Sequence, residues 1–322
     1  MAATTDTPDS APATLANAGS LIDPQTLMAI KNLEMRAKIV VQGFWNGIHR
    51  SPYHGFSVEF TEYRQYTPGD DPRYLDWRLY ARSDRYYIKK FEDETNLRCH
   101  LIVDNSRSMD YGSTGYTKAE YANTLAATLA QFLFQQGDGV GLLTFDDEIR
   151  EYLPARNRTG HLRHLMLALE SPADGKATNL RLPLQRIAQI VRKRGLVVIV
   201  SDLLAPLEDL ERDLVALTAC GHEVMIFQVF DPSEMTLKLE HSAIYLDVET
   251  NQELYIDPEF ARKSYLKKFN EHNEAVEAIC RKLGVGFHRY LTDLSLELAL
   301  FDFMRDRMER GKKAKGGRGS RN

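Results

Sequence analysis

From Arg98 onward the chain alternates between short apolar runs and longer stretches whose apolar positions recur three and four residues apart. The runs Cys99–Val103, Val140–Phe145, Val197–Val200, Glu223–Phe230 and Gly286–Leu291 are rich in branched and aromatic residues and too short for helices. They predict buried strands. Glu148–Leu153 predicts a short antiparallel edge strand. The stretches Lys118–Gln136, His161–Leu169, Leu180–Arg192, Leu207–Cys220, Glu259–Leu283 and Leu294–Met308 carry the helical period. Thr117 and Glu120 form a capping box at the start of the first of these helices, and Gly137 and Gly221 supply stops. Strands alternating with helices require a mainly parallel sheet covered on both faces. The expected fold class is therefore α/β: a doubly wound, mainly parallel, six-stranded sheet of Rossmann type.

The chain before Arg98 has a different texture. Residues 1–22 are rich in Ala, Thr, Pro and Asp and read as a disordered lead. Pro24 to about Gln42 has the spacing of an amphipathic helix. Gly55–Tyr66 alternates loosely and is aromatic-rich, a strand signal; Pro68 and Gly69 mark a turn, and Tyr86–Phe91 a further extended piece. Residues 23–97 are thus expected to form an N-terminal helix and a β-rich aromatic, charged segment. Residues 98–310 form the α/β domain, with a hairpin near 243–257. Residues 311–322 carry five basic residues and four glycines and read as a basic, disordered tail.

Composition narrows the class of partner. The 322 residues are 43% hydrophobic and 27% charged, with net charge −4 and a pI near 6.2. The body gives no reason to expect nucleic acid or a membrane surface. The basic tail could meet nucleic acid or acidic lipid, but on an acidic body a solubilising role is the simpler account. No apolar run reaches the length of a membrane span. The start lacks the basic and apolar regions of a signal peptide, and Cys99, Cys220 and Cys280 show neither disulfide nor metal spacing; the expected location is the cytoplasm.

The candidate chemistry sits at strand ends. The first buried strand stops at Asp104, followed by hydroxyls at Ser106 and Ser108. Thr178 lies in a loop before a helix, and a second buried strand ends in Ser201 and Asp202. In open α/β sheets ligands bind at such carboxyl ends, and carboxylates with hydroxyls are hard oxygens suited to a small hard cation. In type, order and strand-end position, Asp104, Ser106, Ser108, Thr178 and Asp202 resemble the metal-ion-dependent adhesion site of the von Willebrand factor A fold. The resemblance implies Mg2+, with Mn2+ or Ca2+ as alternatives.

A second set of residues precedes the site. Glu59, Phe60, Arg64, Tyr66, Pro68, Gly69, Asp70, Asp71, Arg73, Asp76, Trp77, Ala81 and Arg82 resemble the signature of the domain of unknown function 58 family. In that family the segment directly precedes a von Willebrand A-like metal site, and the 243–257 hairpin becomes an insertion. The resemblance implies a non-enzymatic cytoplasmic binding module. Its partners would be a MoxR-type AAA+ ATPase, a client of that ATPase, or both, captured when an acidic residue completes the metal's coordination. The role implied is protein assembly or maturation.

An enzymatic alternative is a Mg2+-dependent phosphohydrolase or phosphotransferase. Haloacid-dehalogenase-like enzymes want a second Asp two residues after the first, where this chain has Ser106, and no lysine after an apolar strand completes such a site. There is no G-x-S-x-G elbow. Gly175–Thr178 lacks the first glycine of a nucleotide loop, since position 170 is Glu170. The alternating charges between Arg64 and Asp84 read as an ion-pair network fixing an irregular segment, and His161 and His164 as surface residues rather than zinc ligands.

Overall fold

The computed structural model describes residues 21–50, 62–66, 80, 86–90, 97–171, 181–191, 194–237, 243–246, 253–256 and 258–316. Helices α1 (Pro24–Met28) and α2 (Leu33–Arg50) come first. Strands β1 (Glu62–Gln65) and β2 (Tyr87–Lys90) pair antiparallel, Glu62 opposite Lys90. Then follow β3 (Arg98–Asp104), a single 3-10 turn (Arg107–Asp110), α3 (Lys118–Gln135), β4 (Gly139–Phe145), β5 (Ile149–Arg156), α4 (His161–Leu169) and α5 (Arg181–Ile190). The chain continues through β6 (Leu196–Ser201), α6 (Leu207–Ala219), β7 (Glu223–Phe230), α7 (Pro232–Thr236), the antiparallel hairpin β8 (Ala243–Leu246) and β9 (Glu253–Ile256), α8 (Pro258–Leu283), β10 (Gly286–Leu291) and α9 (Leu296–Gly316).

The main sheet has six strands in the order β10-β7-β6-β3-β4-β5, with only β5 antiparallel to its neighbour. This is the doubly wound, mainly parallel sheet that the strand–helix alternation predicts. From β3 the chain winds outward through β4 and β5, then returns to β6 and winds the other way. The reversal falls between β3 and β6, which pair in parallel from Cys99 opposite Leu196 to Val103 opposite Val200. Their carboxyl ends therefore open a crevice between them, the topological switch point of such a sheet.

Alternation along the strands feeds two cores. Cys99, Leu101 and Val103 point to one face and pack with α2, α3, α4 and α9; Ile102 points to the other and packs with α5, α6 and α8. Gly141 in β4 is required by contact: a Cβ there would lie 2.7 Å from the Ala155 nitrogen and 2.8 Å from the Leu153 oxygen, beside the irregular register of the β4–β5 pair.

Three expectations need correction. The single helix expected from Pro24 to about Gln42 is two helices. Asn32 breaks it, because its side chain accepts the Met35 N–H at 2.7 Å, and Glu170 of the α4 terminus accepts the Leu33 N–H at 3.3 Å. The second helix then runs on to Arg50 and joins the main core: Phe44 meets Phe132 at 5.6 Å and Phe301 at 4.7 Å between ring centroids. At the other end α9 continues to Gly316, taking in residues 311–316 that composition assigns to the tail; Lys312, Lys313, Ala314 and Lys315 are good helix formers. His161 is buried rather than on the surface, its Nε2 2.7 Å from the Val140 carbonyl. Thr178, the Pro68–Gly69 turn and most of the Arg64–Asp84 charge cluster lie outside the described residues.

Candidate metal centre

Asp104 ends β3 fully buried. One carboxylate oxygen accepts the Ser106 backbone N–H at 2.9 Å, which turns the chain sharply out of the strand. The other accepts the Ser201 hydroxyl at 2.6 Å, across the β3–β6 crevice. The turn brings the Ser106 and Ser108 hydroxyls within 3.1 Å of each other, and buried Met109 anchors it to the core. Asp202, also fully buried, follows β6. One of its oxygens accepts the Leu204 N–H at 3.3 Å, and its backbone carbonyl accepts the Gln228 amide at 3.1 Å. Leu203 between them has φ of 57°, a left-handed conformation rare for a non-glycine residue.

The electrostatics set this crevice apart. Burial first, and the Asp202 charge second, push the Asp104 carboxyl up to about 7, although the Ser201 and Ser106 hydrogen bonds oppose the rise. Two carboxylates thus lie close enough to repel in a region that excludes water. A cation is the natural remedy. Tested against a divalent ion, the donor set fits: Asp104, Asp202, Ser106 and Ser108 are all hard oxygens at adjacent strand ends. The fit depends on hydroxyls, because among the described residues no three His, Cys, Asp or Glu side chains are grouped to hold a metal.

Lys118 is a charged residue of this crevice that the sequence gives no sign of. It opens α3 directly after the capping residue Thr117. Its side chain is fully buried, with Nζ 3.0 Å from Asp202 Oδ2 and 2.7 Å from Glu234 Oε1. Burial alone would lower the ammonium's pKa; the carboxylates of Asp202 and Glu234 reverse that and hold it above the usual lysine value. Glu234 stands in α7, and its other oxygen accepts the Asp231 N–H at 2.8 Å. Asp231 in turn accepts the Ser113 N–H at 2.7 Å, and Tyr111 shares a 2.7 Å hydrogen bond with Ser233. The Asp104 loop is thereby stitched to the turn after β7. A capping box signals a helix start; nothing local to Lys118 signals carboxylates 84 and 116 residues away.

These features define a doubly wound, mainly parallel α/β protein with an oxygen-lined crevice at its switch point. More particularly, residues 62–275 match the family described as "Protein of unknown function DUF58", and the chain belongs to that family. It is 29% identical over 281 residues to the uncharacterized protein Rv1480 of Mycobacterium tuberculosis, covering 85% of this chain and 87% of the relative. The same figures hold for Mb1516 of Mycobacterium bovis. Among solved structures, it is similar to BatB of Bacteroides thetaiotaomicron (TM-score 0.41, 13% identity, 66% of this chain and 99% of that one). It is also similar to the SpRpn10 VWA domain (TM-score 0.33, 20% identity, 42% and 77%). At TM-scores below 0.5 the fold rests on the strand order and not on these likenesses.

Proposed function

We propose that the chain is a non-enzymatic protein-binding module in which a divalent cation captures an acidic residue of a partner. Asp104, Ser106, Ser108 and Asp202 would hold the ion, with Thr178 as the fifth contributor, some directly and some through water. Mg2+ suits such a set and usually keeps several waters, one of which an incoming carboxylate can replace. The observation that carries the reading is the pair of fully buried carboxylates at neighbouring strand ends, one of them pushed up to about 7 and backed by two converging hydroxyls. Exposed Leu204 and Tyr111, close in sequence to Asp202 and Ser108, add apolar contact beside the charge, as a protein partner would need.

The partner implied by the family resemblance is a MoxR-type AAA+ ATPase or its client. The module would act as a cytoplasmic adaptor in protein assembly or maturation, and the ATPase would supply the hydrolysis that this chain has no motif for. Among the described residues no helix is long and apolar enough to cross a membrane. The phosphohydrolase alternative gains an ammonium in Lys118, but that group is fully buried and already held by two carboxylates. It is poorly placed to meet a phosphoryl group.

The test is binding of a co-expressed MoxR-type ATPase with and without chelator, by wild type and by Asp104→Ala. The proposal expects chelator and substitution each to abolish binding while the circular dichroism spectrum stays unchanged. Binding that survives both rejects metal bridging, and phosphatase activity of the chain alone would favour the enzyme.

A further inference from the structure

We propose that Lys118 and Glu234 set the charge balance of the cation site, and so fix its affinity for one divalent ion. The inference rests on the metal reading above and concerns residues outside the oxygen set. Asp104, Asp202 and Glu234 bring three negative charges into a space where the Asp104, Asp202 and Lys118 side chains are fully buried and Glu234 is 15% exposed. Lys118 brings one positive charge. A single divalent cation makes that group neutral; a monovalent ion leaves it negative, and a trivalent ion makes it positive. Uncompensated charge in a buried site is costly, so neutrality is the stable state.

The geometry divides the work. The ammonium is placed on one oxygen of Asp202, at 3.0 Å, and the Leu204 N–H on the other, at 3.3 Å. The ion must share Asp202 with Lys118, and repulsion between the two cations weakens binding. Glu234 works in the opposite sense. It draws the ammonium to 2.7 Å from its own oxygen, adds a negative charge, and leaves Asp202 freer for the metal. Lys118 therefore lowers the affinity and Glu234 raises it. Through Glu234, the state of α7 reaches the ion without touching it.

The opposed signs make the test specific. Mn2+ binding to the full-length, chelator-stripped chain is measured by calorimetry and by electron paramagnetic resonance. The proteins are wild type, Lys118→Met, Glu234→Gln, the double variant, and Asp104→Asn as a control. Lys118→Met should tighten Mn2+ by about tenfold or more, given the unscreened repulsion it removes. Glu234→Gln should weaken it by about as much, and the double variant should return to within roughly threefold of wild type because the charges again cancel. A purely structural lysine predicts weaker binding, or no change, in Lys118→Met, and either result overturns the proposal, as does unweakened binding in Glu234→Gln. If Lys118→Met alone fails to fold, Glu234→Gln decides by itself, since its side chain reaches solvent. Wild type that binds Mn2+ but lacks these opposed shifts rejects only the charge balance. Absence of Mn2+ binding in all variants rejects the metal reading and this inference together.

Discussion

Asp104→Asn should stabilise the chelated protein at alkaline pH and make its stability indifferent to divalent metal. The Asp104 carboxyl has no solvent exposure and is pushed from the ordinary 3.8 up to about 7, by burial first and then by the Asp202 charge. A carboxyl raised on folding favours its protonated form. The stability it contributes is complete below the unfolded value near 3.8 and is lost as pH rises through about 7. Each pH unit of displacement is worth ~1.36 kcal/mol, so the difference between the two limits is on the order of a few kcal/mol. In a chain of this size that corresponds to a melting temperature lower by on the order of 10 °C.

Asparagine keeps the shape of the side chain and removes the titration. Its oxygen can accept the Ser106 N–H, and its amide can donate to the Ser201 hydroxyl, which already accepts the Leu203 N–H at 3.0 Å. The assay is a set of thermal melts in chelator at about pH 5 and about pH 8.5, with wild type minus variant removing every other titrating group. Wild type should fall behind the variant at the higher pH, and the gap should narrow at the lower. Added Mg2+ should restore wild type, by mass action on the folded state, and leave the variant where it was. A difference that does not move with pH, or a variant that Mg2+ still stabilises, refutes the reasoning.

Three further outcomes test the frame that holds the site. Phe44→Ala removes a fully buried ring packed against Phe132 and Phe301 and should cost roughly 3–5 kcal/mol in urea unfolding, showing that α2 belongs to the main core. Thr117→Ala deletes the hydroxyl that accepts the Glu120 N–H at 3.1 Å and should cost about 1 kcal/mol by the same measurement. Gly141→Ala drives a methyl against the Ala155 and Leu153 backbone and should destabilise by about 1–3 kcal/mol or more, with hydrogen-exchange protection lost first in β4 and β5.

The strands were legible because β3 and β6 are buried on both faces and so read as unbroken apolar runs, and because a polar residue directly after such a run marks the crevice. Asp104 and Asp202 stood out for that reason. The break between α1 and α2 was not legible from period alone, since Leu27, Ile30 and Leu33 keep helical spacing through it; the signal was Asn32, a capping residue inside an apparent helix. The burial of His161 is not legible because it faces the sheet from the first turn of α4, a placement that spacing permits but does not require. Lys118 was hidden for a deeper reason. A lysine at the start of a helix is ordinarily solvated, and only the fold brings Asp202 and Glu234 to it.

Asp202 lies in the loop after β6, where a carboxylate could point several ways. Leu203 holds the answer. A buried leucine at φ of 57° is strained and persists only where its surroundings over-determine it. Here they do: its N–H is taken by the Ser201 hydroxyl at 3.0 Å and its carbonyl by His272 Nε2 of α8 at 2.9 Å, while its side chain fills the α5–α6–α8 core. Gln228 then fixes the Asp202 carbonyl from β7 and is itself held by Asn273 of α8 at 3.0 Å. Asp202 is therefore aimed by packing on one face of the sheet, whereas Asp104 and its serines are aimed by the turn and by α3 on the other. If an ion binds in the crevice as proposed, it would tie the two halves of the sheet together at the point where the chain reverses, and its binding and the docking of α8 would favour one another.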